Sequence, residues 1–271
     1  MFQLGVFNAT SQRAVLGPAL FPIDHGTFAW AAAGLAESDG RILAVGWVHA
    51  KDQRQELADG CPKVGGISVC GVQAISLVRV LSYDAKSKML LANIAEEYSS
   101  LRNATLVAPR SLSLAGGGEA VELPIPPGKG LASDVVFKVT LGAQALALEA
   151  TVMATGPATS ATTTADGVTL SLNISAAATP GGARVGSAKI RGSVAPTGWF
   201  DFPILAGEAQ LPVRVLVDRS IAEFFIGDGR TAFTARHYPQ RSAGGVRMAA
   251  LSAAPLTLSA SVYEMGCGCV L

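Results

Sequence analysis

The sequence predicts an all-β protein whose second half is a two-sheet antiparallel β-sandwich, and three observations carry that expectation. Leu211, Val213, Val215 and Val217 recur at period two while Arg214 and Asp218 take the other side, the alternation of a strand buried on one face. Asp228-Gly229 then supplies a favoured two-residue hairpin turn, so residues 214–239 read as three strands joined by two tight turns. From Asp134 onward about nine short apolar segments follow one another between turn signals, the rhythm of a sandwich.

The elements follow in order. Two apolar stretches within residues 28–48 flank Asp39-Gly40, a hairpin. Residues 49–68 are polar and glycine-rich, a loop. A second hairpin is expected where Gly71 to Leu81 reaches Tyr83-Asp-Ala-Lys-Ser-Lys88 and the apolar pattern resumes at Met89. Ile94, Tyr98 and Leu101 fall at helical spacing, with Glu96 and Glu97 where a helix dipole favours carboxylates, so one short helix is expected. It divides the chain into residues 1–92, a linker at 93–104, and residues 105–271. Strands are expected at 135–141, 145–153, 168–174 and 188–191, then at the three segments of 214–239, then at 246–251 and 256–263. The Ala-, Thr- and Gly-rich stretches 154–166 and 176–187 read as surface loops.

Bulk properties exclude several functions. The 21 basic and 20 acidic residues nearly balance and form no basic block, which argues against nucleic acid as partner. No apolar run approaches the roughly 20 residues of a membrane helix, so no membrane partner is expected. The opening residues show neither the basic nor the apolar part of a signal peptide. Asn8, Asn103 and Asn173 head glycosylation tripeptides, which are frequent by chance. Cys61, Cys70, Cys267 and Cys269 can be joined in three ways; a Cys61–Cys70 disulfide is compatible with the spacing, whereas zinc is disfavoured without nearby histidine. His25, His49 and His237 suggest neither a catalytic triad nor a metal cluster, and the glycine-rich pieces lack the Lys-Ser/Thr of a phosphate loop. Neither a cofactor nor a metal is expected.

The wording of the three-strand segment adds a second kind of information. Val217-Asp218-Arg219-Ser220-x-x-Glu223-x-Phe225, followed by Arg230-x-x-x-Thr234-x-Arg236-x-Tyr238-Pro239, closely resembles a signature of the C-terminal β-sandwich in glycoside hydrolase family 32, the invertases (β-fructofuranosidases) and fructan hydrolases. Three earlier landmarks resemble the same family in the same order. They are Ile23-Asp24-His25-Gly26-x-Phe28-Ala29, Gly40-Arg41-Ile42-Leu43-Ala44-Val45-Gly46-Trp47-Val48 and Gly71-Val72-Gln73-Ala74-Ile75. Glu96-Glu97-Tyr98-x-x-Leu101-Arg102 is similar to the helix joining the family's catalytic five-bladed β-propeller to its sandwich. The resemblance implies a carbohydrate-metabolism glycosidase fold, with residues 1–92 an incomplete propeller remnant before the sandwich.

Retaining glycosidases need two carboxyl groups about 5 Å apart, one a nucleophile and one a proton donor. The family draws them from Asn-Asp-Pro and Glu-Cys motifs, with an Arg-Asp-Pro aspartate supporting the sugar. No Asn-Asp, Glu-Cys or Arg-Asp dipeptide occurs in the sequence, so no catalytic residue is assigned. Asp218 and Glu223, with Arg219, Arg230 and Arg236, are read as structural, through turn capping and cross-strand pairing. The resemblance implies substrate contacts at Asp24, Phe28 and Trp47. Turn formation before Gly26 explains Asp24 equally well, and burial in a strand explains Trp47 equally well. Phe28 stands where the family usually has tyrosine.

Three functions remain open. One is the C-terminal part of a β-fructofuranosidase-like hydrolase of sucrose or fructans, expected to be inactive without the earlier blades. Another is a non-catalytic fructan-binding or packing module, with a dimer contact through the sandwich and Trp199, Phe200, Phe202 and Tyr238 as its aromatics. The third is a degenerate product without a role. By resemblance, the compartment would be extracellular or vacuolar.

Overall fold

The computed structural model describes residues 2–8, 10–26, 29–48, 63–64, 67–68, 74–127, 129–155, 167–179, 181–192, 197–239 and 244–266. Phe28, the four cysteines and most of the 49–68 and 154–166 segments lie outside them.

The first third opens with a hairpin of β1 (Phe2–Asn8) and β2 (Arg13–Phe21). A second follows, β3 (Ala29–Ala36) with β4 (Ile42–Val48), and Gly40 at φ +86° makes the turn that Asp39-Gly40 predicts. The short pair β5 (Lys63–Val64) and β6 (Ile67–Ser68) stands apart, and β7 (Ala74–Ile75) pairs with β4. A third hairpin joins β8 (Arg79–Asp84) to β9 (Met89–Ile94), giving an antiparallel sheet in the order β3-β4-β8-β9. Four antiparallel strands are the size of one propeller blade.

The expected helix is instead a 3-10 helix, Glu96–Leu101. Ala95 before it is extended and gives no side-chain cap, and six residues cannot offset the cost of α-helix nucleation. Ile94 belongs to β9, buried beside Leu216 and Phe225.

The remainder folds as β10 (Arg102–Leu114), β11 (Ala120–Glu122), β12 (Ala132–Thr140), β13 (Leu146–Ala154), β14 (Val168–Ile174), β15 (Arg184–Arg191), β16 (Phe200–Ile204), β17 (Gln210–Asp218), β18 (Ile221–Ile226), β19 (Thr231–Arg236), β20 (Gly245–Ala250) and β21 (Leu256–Met265). They form two six-stranded antiparallel sheets, β10-β21-β12-β17-β18-β19 and β11-β20-β13-β14-β15-β16. This is the expected all-β sandwich. Between the sheets lie Phe137, Leu148, Leu170, Phe202, Phe224 and Phe233, joined by the inward set Leu211, Val213, Val215 and Val217. Phe202 is therefore core, not an exposed aromatic. β15 begins inside the stretch read as a loop, because Gly186 lies flat against the Phe202 ring where a side chain would not fit.

β18 and β19 are buried along almost their whole length, on both faces. One face meets the sandwich core. The other lies under the blade, where Phe225, Ala232 and Leu216 pack with Ile94 and the half-buried Leu77, Tyr98 and Met265. The blade face carrying Ala44, Leu81, Leu90 and Ala92 packs with Phe21 and Ile23 at the end of β2. Its opposite face is open: Leu35 is 64% exposed, Trp47 44% and Ile75 64%. Trp47 and Ile75 are directly paired across β4 and β7, so their side chains share that face. Among the described residues no helix is long and apolar enough to cross a membrane.

Candidate functional site

A cluster of buried charged groups lies where the blade meets the sandwich, separate from the buried Asp134 with Arg102 and Arg214. The segment 22–26 runs along β19 and uses its free edge: His25 N–H donates to the Ala232 carbonyl at 2.8 Å, and Thr234 N–H donates to Asp24 Oδ1 at 3.2 Å. Asp24 Oδ1 also accepts the Gly26 N–H at 2.5 Å, the turn its position before Gly26 predicts. A Cβ on Gly26 would stand 2.1 Å from the Thr234 carbonyl oxygen, so only glycine lets the segment lie this close.

Arg79 reaches the same spot from β8. Its Nη1 donates to the Ile23 carbonyl at 2.5 Å, and its Nη2 faces Asp24 Oδ2 at 2.6 Å, Glu223 Oε2 at 2.7 Å and Thr234 Oγ1 at 2.8 Å. The guanidinium lies over the Phe225 ring, 5.2 Å from its centre. Glu223 Oε1 accepts the Leu77 N–H at 2.6 Å, and Thr234 Oγ1 donates to Asp24 Oδ2 at 2.7 Å. The side chains of Arg79, Asp24 and Glu223 are 3%, 4% and 2% exposed.

Protonation follows from this arrangement. One guanidinium cannot neutralise two carboxylates, and burial raises the Glu223 pKa against the pull of Arg79. Burial opposes the charge on Arg79, yet Asp24 and Glu223 hold it protonated well above its ordinary range. His25, its ring 4.1 Å from Phe200 and 5.7 Å from Phe233, has its pKa lowered by burial although Asp24 pulls upward.

Beside the network is a cavity of about 430 Å³, walled by Leu77, Tyr98, Leu216 and Met265, with Asp218, Arg219 and Glu223 on its rim. It thus brings together three of the five residues of the signature read as structural. The other two lie elsewhere. Arg230 is ion-paired to Glu208 and donates to the Pro203 carbonyl, and Arg236 stacks 5.4 Å from the centre of the Tyr238 ring. Glu223 pairs with Arg79 of the blade instead of a sandwich arginine. Asp24 lies in this network with both oxygens occupied. Trp47 stands on the blade's open face, and Phe28 lies outside the described residues. Arg79 escaped the sequence reading, although it is the one charge in the apolar stretch 71–81. Among the described residues no group of three or more His, Cys, Asp or Glu could hold a metal.

The described fold is thus two packed antiparallel sheets tied to a smaller antiparallel sheet by buried charge. Residues 144–264 match the family described as "Glycosyl hydrolases family 32 C terminal". Residues 144–264 are thus similar to the C-terminal domain of glycosyl hydrolase family 32. No curated protein matches the sequence.

Solved structures share the fold. Fructan 1-exohydrolase IIa from Cichorium intybus superposes with a TM-score of 0.71 at 16% identity, over 97% of this chain and 54% of that one. Sucrose-6-phosphate hydrolase from Lactobacillus gasseri gives 0.61 at 17%, over 97% and 47%. Exo-inulinase from Aspergillus awamori gives 0.62 at 16%, over 97% and 49%. The chain spans about half the length of these proteins.

Proposed function

We propose that this chain supplies the last blade and the sandwich of a β-fructofuranosidase-like hydrolase, which cleaves the glycosidic bond of sucrose or a fructan once the blade belongs to a complete propeller. One observation carries the reading: the blade presents an open apolar face, with Leu35, Trp47 and Ile75 exposed, and such a face needs a neighbour. The division at residues 1–92, 93–104 and 105–271 is part of the same proposal.

The buried carboxylates do not replace the missing catalytic pair. Asp24 and Glu223 are each bonded to Arg79 and closed off from a sugar, whereas a glycosidase needs one neutral acid and one free carboxylate flanking the bond. The chain alone is therefore inactive in this reading. Trp47 offers its indole to the sugar from the blade, Phe28 is a second contact in this proposal, and Asp24 serves by holding the segment 22–26.

The test is direct. Purified chain is incubated with sucrose, inulin and levan, and free fructose is measured; none is expected, and steady fructose release would overturn the assignment of inactivity. Joined to the propeller half of a family 32 enzyme, the same chain is expected to yield activity that is lost when Leu35 and Ile75 are both changed to lysine.

A non-catalytic fructan-binding or packing module is the second reading, and the exposed Trp199, with Lys189 Nζ 4.5 Å from its ring centre, favours it. Levan binding by the isolated chain that disappears in Trp199→Ala would support it.

A further inference from the structure

We propose that Asp24 and Glu223 form a proton-binding latch that holds the blade on the sandwich more tightly in mild acid than in alkali. The geometry is one of too few donors. Arg79 Nη2 carries two hydrogens and faces three acceptors, Asp24 Oδ2, Glu223 Oε2 and Thr234 Oγ1, all within 2.8 Å. Two carboxylates and one guanidinium leave an excess negative charge in a place almost closed to water, and uncompensated buried charge is costly. A proton taken up by the pair removes that excess. A proton on Glu223 Oε2 also points toward an acceptor, Thr234 Oγ1, 3.4 Å away.

Among the described residues the salt bridges of the pair are both to Arg79. Arg79 comes from β8. Arg236, two residues beyond Thr234 on the same face of β19, stacks on Tyr238. Asp218, Arg219 and the Tyr98 hydroxyl lie around the adjoining cavity, and Tyr98 accepts the Val78 N–H at 3.1 Å. His25 is the titrating group next to Asp24.

The sign follows from linkage. Burial raises the Glu223 pKa, so its contribution is fully present below the unfolded value of about 4.3 and is lost as pH rises through the higher folded value. His25 works the other way. Its lowered folded pKa contributes stability above about 6.5 that is lost as pH falls through that lowered value, so the latch is read as the difference between wild type and Glu223→Gln.

Hydrogen exchange of the whole chain between pH 5 and 8, corrected for intrinsic rates, reports junction opening at three amides. Leu77 N–H donates to Glu223, Ala92 N–H to the Gly229 carbonyl, and His25 N–H to the Ala232 carbonyl. Relative to Glu223→Gln, the wild-type opening constant is expected to rise with pH, by up to about tenfold per unit for one linked proton, while amides of β17 remain equally protected in both. An equal slope in wild type and Glu223→Gln, or a fall with rising pH, overturns the latch. Carbon-13 titration of the carboxyl groups in the wild type decides independently of whether the variant folds. A step assigned to Glu223 above the ordinary carboxyl range is expected, and an ordinary value there overturns the proposal.

Discussion

The carbonyl of Gly229, at the tip of the β18–β19 hairpin, accepts the N–H of Ala92 in the blade at 2.9 Å. Gly229 sits at φ +88°, and a Cβ there would meet the Ala92 carbonyl carbon at 2.6 Å. The glycine thus answers both to its turn and to the backbone it touches. Gly229→Ala is expected to lower stability by about 1–3 kcal/mol. Urea unfolding gives the magnitude, and exchange of the Ala92 amide shows that the loss falls at the junction.

Removing the shared cation should cost more than removing either carboxylate. Arg79→Met leaves Asp24 and Glu223 buried without a counter-charge and is expected to destabilise by about 3–5 kcal/mol near neutral pH. Adding Glu223→Gln to that variant should restore part of the loss. A double variant no more stable than Arg79→Met would show that the two side chains are not energetically joined.

His25 should remain neutral to a lower pH than an ordinary histidine, because burial outweighs the attraction of Asp24. Removing the ring that covers it, by Phe200→Ala, should move its titration midpoint upward. Proton NMR of the imidazole checks both statements, and an unmoved midpoint would assign the shift to other neighbours.

The open face of the blade should make the isolated chain self-associate. Leu35→Lys with Ile75→Lys is expected to reduce that association in sedimentation velocity while changing unfolding stability by less than about 1 kcal/mol, since both side chains are largely exposed.

What the sequence reveals here is set by distance along the chain. The alternation at 211–217 and the turn glycines at 40 and 229 are local signals, and the strands they imply are present. β10 was not foreseen because it alternates poorly: its pairing with β21 shifts register three times, it contains Pro109, and it lies at a sheet edge where much of it is exposed. Pro203 similarly disguises β16, another edge strand. At the junction, Glu223 belongs to a recognisable segment, but its partner Arg79 lies 144 positions away, and period-two spacing carries no information about such a pairing. The six-residue 3-10 helix shows the converse, a helical pattern too short to act without tertiary support.

The seating of residues 24 and 25 along β19 has a consequence for colloidal behaviour. A terminal strand with free amides and carbonyls is a template on which foreign strands can polymerise. Here those groups at Ala232 and Thr234 are already spoken for by the protein's own backbone and an aspartate, so the same residues that anchor the blade also blunt a rim from which fibrils would otherwise grow.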